Sequence, residues 1–395
     1  MVVKEGEVAH NIVVMKAPRV GLNALYLRPG KVGGSEVYVR SLARALVDET
    51  NVKLVVFVPR DAAESFSGLA RKGAHVVPVG NGSFSQAGRI VAENVGLLRH
   101  VHKHALDVLF SPANFGAPLL ASRIPQVVTV HDLQHRWLKS NFSRAKRLQR
   151  DAMFHASFRR AVHVIAISDF TRGDVLNAFR IHPDRITTVL EGFDPGASPT
   201  EEAIASCHAR HGLSGPTLYY PATDNAHKNH ELLFETLGLL AKRGERPTLV
   251  LTGSTSGRYE RLQLQAQGTG IDDQVRHLGF VSREDVYALM AGADALVFPS
   301  RFEGFGLPIL EAMECETPVI AARCASIPEV AGNAAVLLDP DAPDAWADAI
   351  SAALSNGPES ERLIALGKVN LQRFSWVECA KQSATIFQNA ARHSR

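Results

Sequence analysis

The chain has 395 residues, enough for two domains that each bury a core of their own. With 46% hydrophobic and 21% charged residues it has the composition of a soluble globular protein, which excludes the disordered class. No stretch reaches the roughly 18 consecutive apolar residues of a membrane-spanning helix, and the acidic residues mixed into the apolar N-terminal stretch argue against a signal peptide. The four cysteines, Cys207, Cys315, Cys324 and Cys379, form no CxxC pair and no zinc spacing, so reduced thiols in a cytoplasmic protein are expected.

Charge is unevenly spread. The net charge is only +3, yet residues 1–190 carry 26 basic against 14 acidic side chains, and the remainder 17 against 26. The excess is densest at Arg144, Lys146, Arg147, Arg150, Arg159 and Arg160. Such a run is either a solvated helix face or a patch for an anionic partner. Anionic lipid headgroups or a lipid-linked phosphate fit it better than nucleic acid, for which no helix-turn-helix, RNP or zinc-finger pattern is present. Peripheral contact with the inner face of a membrane is the matching expectation.

Apolar runs at 10–17, 52–59, 75–79, 107–111, 126–130, 163–168 and 186–190 read as strands of the first half. Runs at 217–222, 248–253, 276–281, 295–300, 318–322 and 334–339 do so in the second. Helical patterns such as 33–49, 229–244 and 283–293 alternate with them. Near-continuous apolar strands are covered by helices on both faces, so the fold class is α/β with two doubly wound parallel sheets. Gly, Pro and Ser cluster at Leu190–Glu202, which places a first domain at 1–192 and a second at 193–373. The amphipathic stretch 374–395 either closes the second domain or crosses back to the first. In open parallel sheets ligands bind beyond the carboxyl ends of the strands, against helix N-termini, so two facing domains make a cleft.

Candidate residues follow in chain order. Gly33 and Gly34 precede a helical pattern and permit close approach of a phosphate or sugar, or simply an ordinary turn. They do not form the G-x-G-x-x-G of a dinucleotide site. His131 and Asp132 follow the buried run "PQVVTV", where a strand leaves its sheet toward the cleft. His135 stands four residues on, but no HExxH or third ligand accompanies the pair, so a metal site is not expected. Lys228, in "YYPATDNAHKNHELL", lies at a helix start, in reach of a diphosphate as a mobile cation. The most informative segment is "SRFEGFGLPILEAME" at 300–314. A glycine-rich loop with Gly304 and Gly306 runs into a helix near Leu307, with Pro308 suited to the first turn. The helix start offers free N–H donors and a positive dipole end to a diphosphate. Glu303 and Glu311 flank it, with seven residues between them, placed to accept hydrogen bonds from hydroxyls on either side. The same residues also fit a plain turn followed by a favourable first-turn charge.

The segment 300–314 closely resembles the donor-binding motif of glycosyltransferase family 4. These are retaining GT-B enzymes, among them sucrose synthases and many bacterial mannosyl- and glucosyltransferases. The resemblance runs from about Gly33 to Val330. It implies two Rossmann-like domains facing across a cleft, the first for the acceptor and the second for a nucleotide sugar. By that resemblance Glu303 contacts donor-sugar hydroxyls, Glu311 the ribose, and the amides near Phe305–Leu307 the diphosphate. His131 falls at the family's His near the reaction centre, and Gly33–Gly34 at its N-terminal glycine loop. Lys228 matches the lysine of an Arg-x4-Lys phosphate pair, whose arginine position holds Thr223; Arg301 is the candidate to compensate. Backbone around Gly253, Phe280 and Val281 matches loops that cradle the base.

The resemblance further implies a metal-independent hexosyltransferase with no cofactor beyond its nucleotide-sugar co-substrate. His131, Lys228 and Glu303 would be its catalytic residues, GDP-mannose the favoured donor ahead of UDP-sugars, and a saccharide or lipid-linked acceptor its second substrate. A sugar-nucleotide 2-epimerase of the same fold and a non-catalytic sugar-nucleotide-binding subunit are the alternatives. Thr223 favours the second of these.

Overall fold

The computed structural model describes residues 17–28, 34–80, 88, 91–117, 123–196, 198–254, 259–355 and 357–392. Seven strands build the first sheet: β1 (Arg19–Asn23), β2 (Lys53–Pro59), β3 (His75–Val79), β4 (Val108–Ser111), β5 (Gln126–Val130), β6 (Ala161–Ala166) and β7 (Ile186–Thr188). Six build the second: β8 (Thr217–Pro221), β9 (Thr248–Thr252), β10 (Val275–His277), β11 (Ala295–Phe298), β12 (Val319–Ala322) and β13 (Val336–Leu338). Their orders are β3-β2-β1-β4-β5-β6-β7 and β10-β9-β8-β11-β12-β13, with every pairing parallel. The strand order thus reverses at β1/β4 in one sheet and at β8/β11 in the other. Those two reversals are the crevices where a parallel sheet receives a ligand.

Local chemistry explains the elements. Central strands such as β4, β5 and β11 are buried throughout, as their unbroken apolar runs require. Pro78, which cannot donate to a ladder, sits on the edge strand β3. Ser143, Ser168, Thr200 and Ser282 each accept from a backbone N–H in the first turn of the helix they precede.

Several strand bounds differ from the sequence reading: the run at 186–190 ends at Thr188, and that at 334–339 is cut to Val336–Leu338. The expected first strand at 10–17 lies almost wholly outside the described residues, and β1 instead occupies Arg19–Asn23. Its Gly21 serves packing: a Cβ there would lie 2.4 Å from Leu106 and 2.9 Å from the Phe57 ring. The expected strand at 276–281 shrinks to β10 because Gly279, at φ 69°, turns the chain out of the sheet.

The C-terminal helix, Trp376–Arg392, leaves the second sheet and packs on the first helix, Gly34–Glu49, and on the edges of β4, β5 and β6. Its buried stripe of Trp376, Cys379, Ala380, Ser383, Ala384, Phe387 and Ala390 follows the helical period. Phe387 meets Phe110 of β4 with ring centroids 4.9 Å apart. The two crossings between the sheets are laced together: Phe193 N–H donates to the Phe374 carbonyl at 3.0 Å. Asp194 accepts from Ser41 Oγ and Arg44, each at 2.7 Å. One apolar core therefore runs through both sheets. Among the described residues no helix is long and apolar enough to cross a membrane.

Gly192 sits where the crossings touch, and a Cβ there would lie 2.3 Å from the Trp376 amide nitrogen, a backbone atom with little freedom to yield. Gly192→Ala is therefore expected to destabilise the protein by about 1–3 kcal/mol, the range for overpacking. The measurement is the midpoint of denaturant or thermal unfolding, with Gly173→Ala, where nothing lies within 4 Å of the added carbon, as the comparison.

Candidate active site

The loops after β8 and β11 meet at the reversal point of the second sheet. After β8 the chain makes a one-turn 3₁₀ helix, Ala226–Lys228, and Asn229 then adopts a left-handed conformation before the helix His230–Lys242. The Asn229 amide donates to the carbonyls of Pro299 at 3.3 Å and Pro340 at 2.9 Å, and the Arg301 N–H donates to the His227 carbonyl at 2.8 Å. Tyr220 OH donates to the Lys228 carbonyl at 2.9 Å and lies 2.9 Å from Ser300 Oγ. These bonds clamp the two loops together, and they bring Lys228 Nζ to 2.6 Å from Glu303 Oε1. The pair is 18% and 16% exposed, so each charge is largely desolvated and compensated by the other.

Beyond Glu303, Ser326 Oγ donates to the carbonyls of Glu303 and Phe305 at 2.9 and 3.1 Å, fixing the curve of the loop. Gly306, at φ 113°, turns the chain into the helix Leu307–Glu314, with Pro308 in its first turn. Glu311 lies one turn inside this helix. Desolvation raises its carboxyl above the usual range and the nearby Arg283 opposes the shift. Gly253 follows β9 at φ 123°, its backbone close to Ala222 and Thr223. Phe280 and Val281 follow β10, and Phe280 is 91% exposed.

Across the cleft, His131 follows β5. Asn114 Oδ1 accepts from the His131 N–H at 2.7 Å. The imidazole lies with Nδ1 3.2 Å from Glu191 Oε1 and Nε2 2.7 Å from the Pro112 carbonyl, and its side is met edge-on by Tyr38 at 4.9 Å. A carboxylate and a carbonyl only accept, so both ring nitrogens carry protons when both bonds are made. Burial lowers the His131 pKa, but the Glu191 hydrogen bond and charge, the Pro112 carbonyl and Asp132 outweigh it, leaving the value raised.

The two halves touch around these groups. A Cβ on Gly304 would lie 2.6 Å from the His131 carbonyl oxygen, so only glycine lets this loop reach the β5 end. Ser168 Oγ donates to the Gly304 carbonyl at 3.4 Å. Glu329, from the second sheet's side, accepts from the N–H groups of Asp169 and Phe170 at 2.8 and 3.1 Å. It thereby caps the helix Asp169–Ala178 of the first. Phe302 packs between Trp137 and Phe170, with centroids 6.0 and 6.2 Å away.

The structure thus brings Lys228, Glu303 and Gly304 together and sets His131 beside them. Gly34 opens the first helix with Leu307 3.8 Å from its Cβ position, while Gly33 lies outside the described residues. Arg301 does not join Lys228: its guanidinium is paired with Asp341, on the exposed side of the loop. Thr223 accepts a hydrogen bond from the Asn225 amide at 2.8 Å. His135 is turned away from His131 and bonds Asp151 at 2.8 Å. Among the described residues, Cys207, His211 and Asp285 form the one cluster of three metal-capable side chains. It lies on helices outside the cleft, with Arg210 already paired to Asp285. Sequence reasoning missed Glu191, Asn114 and Glu329. Glu191 and Asn114 follow β7 and β4 at the sheet's carboxyl edge, a position that could have flagged them.

Because its pKa is raised, the stabilisation His131 draws from Glu191 is present in full below the ordinary imidazole value of about 6.5 and fades as pH rises through the folded value. Glu191→Gln is expected to lower the His131 pKa and flatten this loss. Imidazole proton NMR across a pH titration reads it directly, and an unchanged titration would contradict the pairing.

Two family models match the chain: Glycosyltransferase Family 4 over residues 32–197 and Glycosyl transferases group 1 over residues 210–369. O-antigen chain mannosyltransferase B of Escherichia coli is 31% identical over 288 residues, covering 71% of this chain and 74% of that protein. D-inositol 3-phosphate glycosyltransferase of Xylanimonas cellulosilytica is 27% identical over 417 residues, covering 95% and 98%. The crystal structure of Anabaena HepE in complex with UDP and glucose superposes with a TM-score of 0.73 at 21% identity, over 94% of this chain and all of that one. With two parallel sheets facing across a cleft lined by this motif, the chain belongs to glycosyltransferase family 4 and is a glycosyltransferase of GT-B fold.

Proposed function

We propose that the protein moves a hexosyl group, with mannose favoured, from a GDP- or UDP-sugar to a saccharide or lipid-linked acceptor. The transfer retains anomeric configuration and uses no metal. The observation that carries this reading is the meeting of Lys228 and Glu303 at the reversal point of the second sheet, with the main chain of His131, from the first, against Gly304. The chemistry needs negative charge stabilised on a departing nucleoside diphosphate. Lys228, the amides near Phe305–Leu307 and the dipole of the helix Leu307–Glu314 supply positive potential at one place. Glu303 holds Lys228. A bound diphosphate gives the ammonium a second anionic partner and leaves Glu303 free to accept from a sugar hydroxyl. Glu311 accepts from the ribose.

In the reaction the bond from the anomeric carbon to the β-phosphate oxygen breaks, and its electron pair stays with the phosphate. The acceptor hydroxyl oxygen bonds the anomeric carbon on the same face, and its proton passes to the departing phosphate oxygen. His131, with both ring nitrogens bonded to protein acceptors, contributes its position and positive charge rather than a nucleophile. The names of the relatives, an O-antigen chain mannosyltransferase and the MMP alpha-(1->4)-mannosyltransferase of Mycolicibacterium hassiacum, support mannose and surface-polysaccharide or glycoconjugate synthesis. The basic helix Arg144–Arg160 supports work in the cytoplasm at the inner membrane face. Thr223 in place of a phosphate-binding arginine favours a non-catalytic subunit as the second reading. Slow donor hydrolysis by the purified protein rejects it.

Thermal-shift screening of GDP- and UDP-sugars, then product analysis with the best donor, tests the proposal. Lys228→Ala and Glu303→Ala are each expected to cut kcat by about 100-fold or more, as loss of one preorganised stabilising group does. Glu311→Ala is expected mainly to raise the donor KM. Near-normal transfer by both of the first two variants would reject the assignment.

A further inference from the structure

The cluster of Cys207, His211 and Asp285 has no part in the mechanism above, and it joins two packed helices. Cys207 lies on the helix Glu201–Arg210 that opens the second domain, and His211 follows it by one helical turn. Asp285 comes from the first turn of the helix Arg283–Ala291, where Ser282 Oγ accepts from its N–H at 3.1 Å. One ligand atom from each of the three side chains lies within 4.8 Å of the other two. Cys207 is fully buried, and the side chains of His211 and Asp285 are largely so.

The protein alone leaves these polar atoms incompletely satisfied. His211 Nε2 is buried without a hydrogen-bond partner, and Asp285 Oδ2, 3.9 Å away, is too far to serve as one. A buried ring nitrogen in that state calls for a bound group. Arg210 holds the other carboxylate oxygen, Oδ1, and donates to Ser206 Oγ at 3.1 Å, which leaves Oδ2 on the His211 side. Carboxylates that ligate metals are commonly oriented by such an outer hydrogen bond. Burial, then the charge and hydrogen bond of Asp285, push the Cys207 thiol up to about 11, with Arg210 opposing. A thiol in that setting keeps its proton until a metal ion replaces it.

The donor atoms select the ion. Sulfur and imidazole nitrogen disfavour Mg2+ and Ca2+, which take oxygen ligands. One thiolate and one carboxylate balance a divalent charge, and sulfur, nitrogen and oxygen together suit zinc. Tetrahedral zinc at its usual bond lengths sets its ligand atoms about 3.5 Å apart, so modest side-chain rotations from the present spacing close the site. We propose that Cys207, His211 and Asp285 bind one zinc ion, with water in the fourth position. On binding, the Cys207 S–H bond breaks, its proton leaves to solvent and its electron pair bonds the metal, with no change of oxidation state. The ion clamps the helix that opens the second domain to the helix crossed by the linker, where a Cβ on Gly196 would lie 2.3 Å from the Tyr287 ring. Its role is structural, and the sugar transfer does not pass through it.

The test uses the full chain, stripped with a chelator that is then removed, and Zn2+ and Co2+ as probes. Calorimetry is expected to show one equivalent of Zn2+ bound with a Kd of about 1 μM or tighter. Zn2+ at a hundredfold excess over Kd should raise Tm by about 3 °C or more. Co2+ in the same site should give a thiolate-to-metal charge-transfer band together with the absorption of a four-coordinate ion. Cys207→Ser removes that band, and His211→Gln weakens binding by about tenfold or more, while Cys324→Ser changes neither. If Cys207→Ser fails to fold, the Co2+ spectrum of the unmodified protein and the His211→Gln titration decide the question. Absence of saturable binding overturns the proposal. So does a Co2+ spectrum without the thiolate band, a band that disappears in Cys324→Ser, or Zn2+ affinity unchanged in His211→Gln.

Discussion

The site depends on one contact across the cleft, the approach of Gly304 to the main chain of His131. The reacting groups come from two sheets with separate reversal points, and neither sheet alone holds a constellation that can transfer a sugar. The loop from Pro299 to Gly306 bridges them, and the space at residue 304 admits a hydrogen atom and nothing larger. Around that point the other bridging bonds are specific and directional. Ser168 holds the Gly304 carbonyl, Ser326 the carbonyls on either side, and Glu329 plugs the N-terminus of a helix from the opposite sheet. Backbone N–H groups at a helix start have no partner within the helix. A carboxylate supplied by the other half satisfies that helix end and holds the two halves together there.

The electrostatics follow the same logic of shared completion. Lys228 and Glu303 are too desolvated to stand alone, and each is the other's partner. His131 and Glu191 form a second such pair on the facing wall. Each cation meets its carboxylate where two loops from one sheet approach. The walls of the cleft thus carry compensated charge that a charged substrate can redistribute without leaving an isolated buried ion.

Much of this was legible in the chain. The alternation of apolar runs with helical patterns argued for parallel sheets covered by helices on both faces, and the Gly/Pro/Ser cluster at Leu190–Glu202 for two of them. The spacing of Glu303, Gly304, Gly306, Pro308 and Glu311 marked a strand-to-helix turn, since the left-handed Gly306 and the first-turn proline each have a local conformational cause. Less legible was β1, expected at 10–17 from its apolar run and found at Arg19–Asn23, where Gly21 is a packing notch for Leu106 and Phe57. Arg301 could be read as a phosphate ligand from its distance to Glu303 along the chain. Its side chain leaves the loop on the other side, toward Asp341.

By itself, then, the sequence determined the alternation of strands and helices and the glycine-rich turn from Glu303 into the helix at Leu307, because those properties are settled within a few residues of chain. It also determined the family. Tertiary structure alone decided that Glu191 and Pro112 hold both nitrogens of His131, that Glu329 caps a helix of the other sheet, and that the C-terminal helix seals the first domain rather than the second. Each of these joins residues tens to hundreds of positions apart. Their contact follows from how two sheets pack, which no local pattern of side chains records.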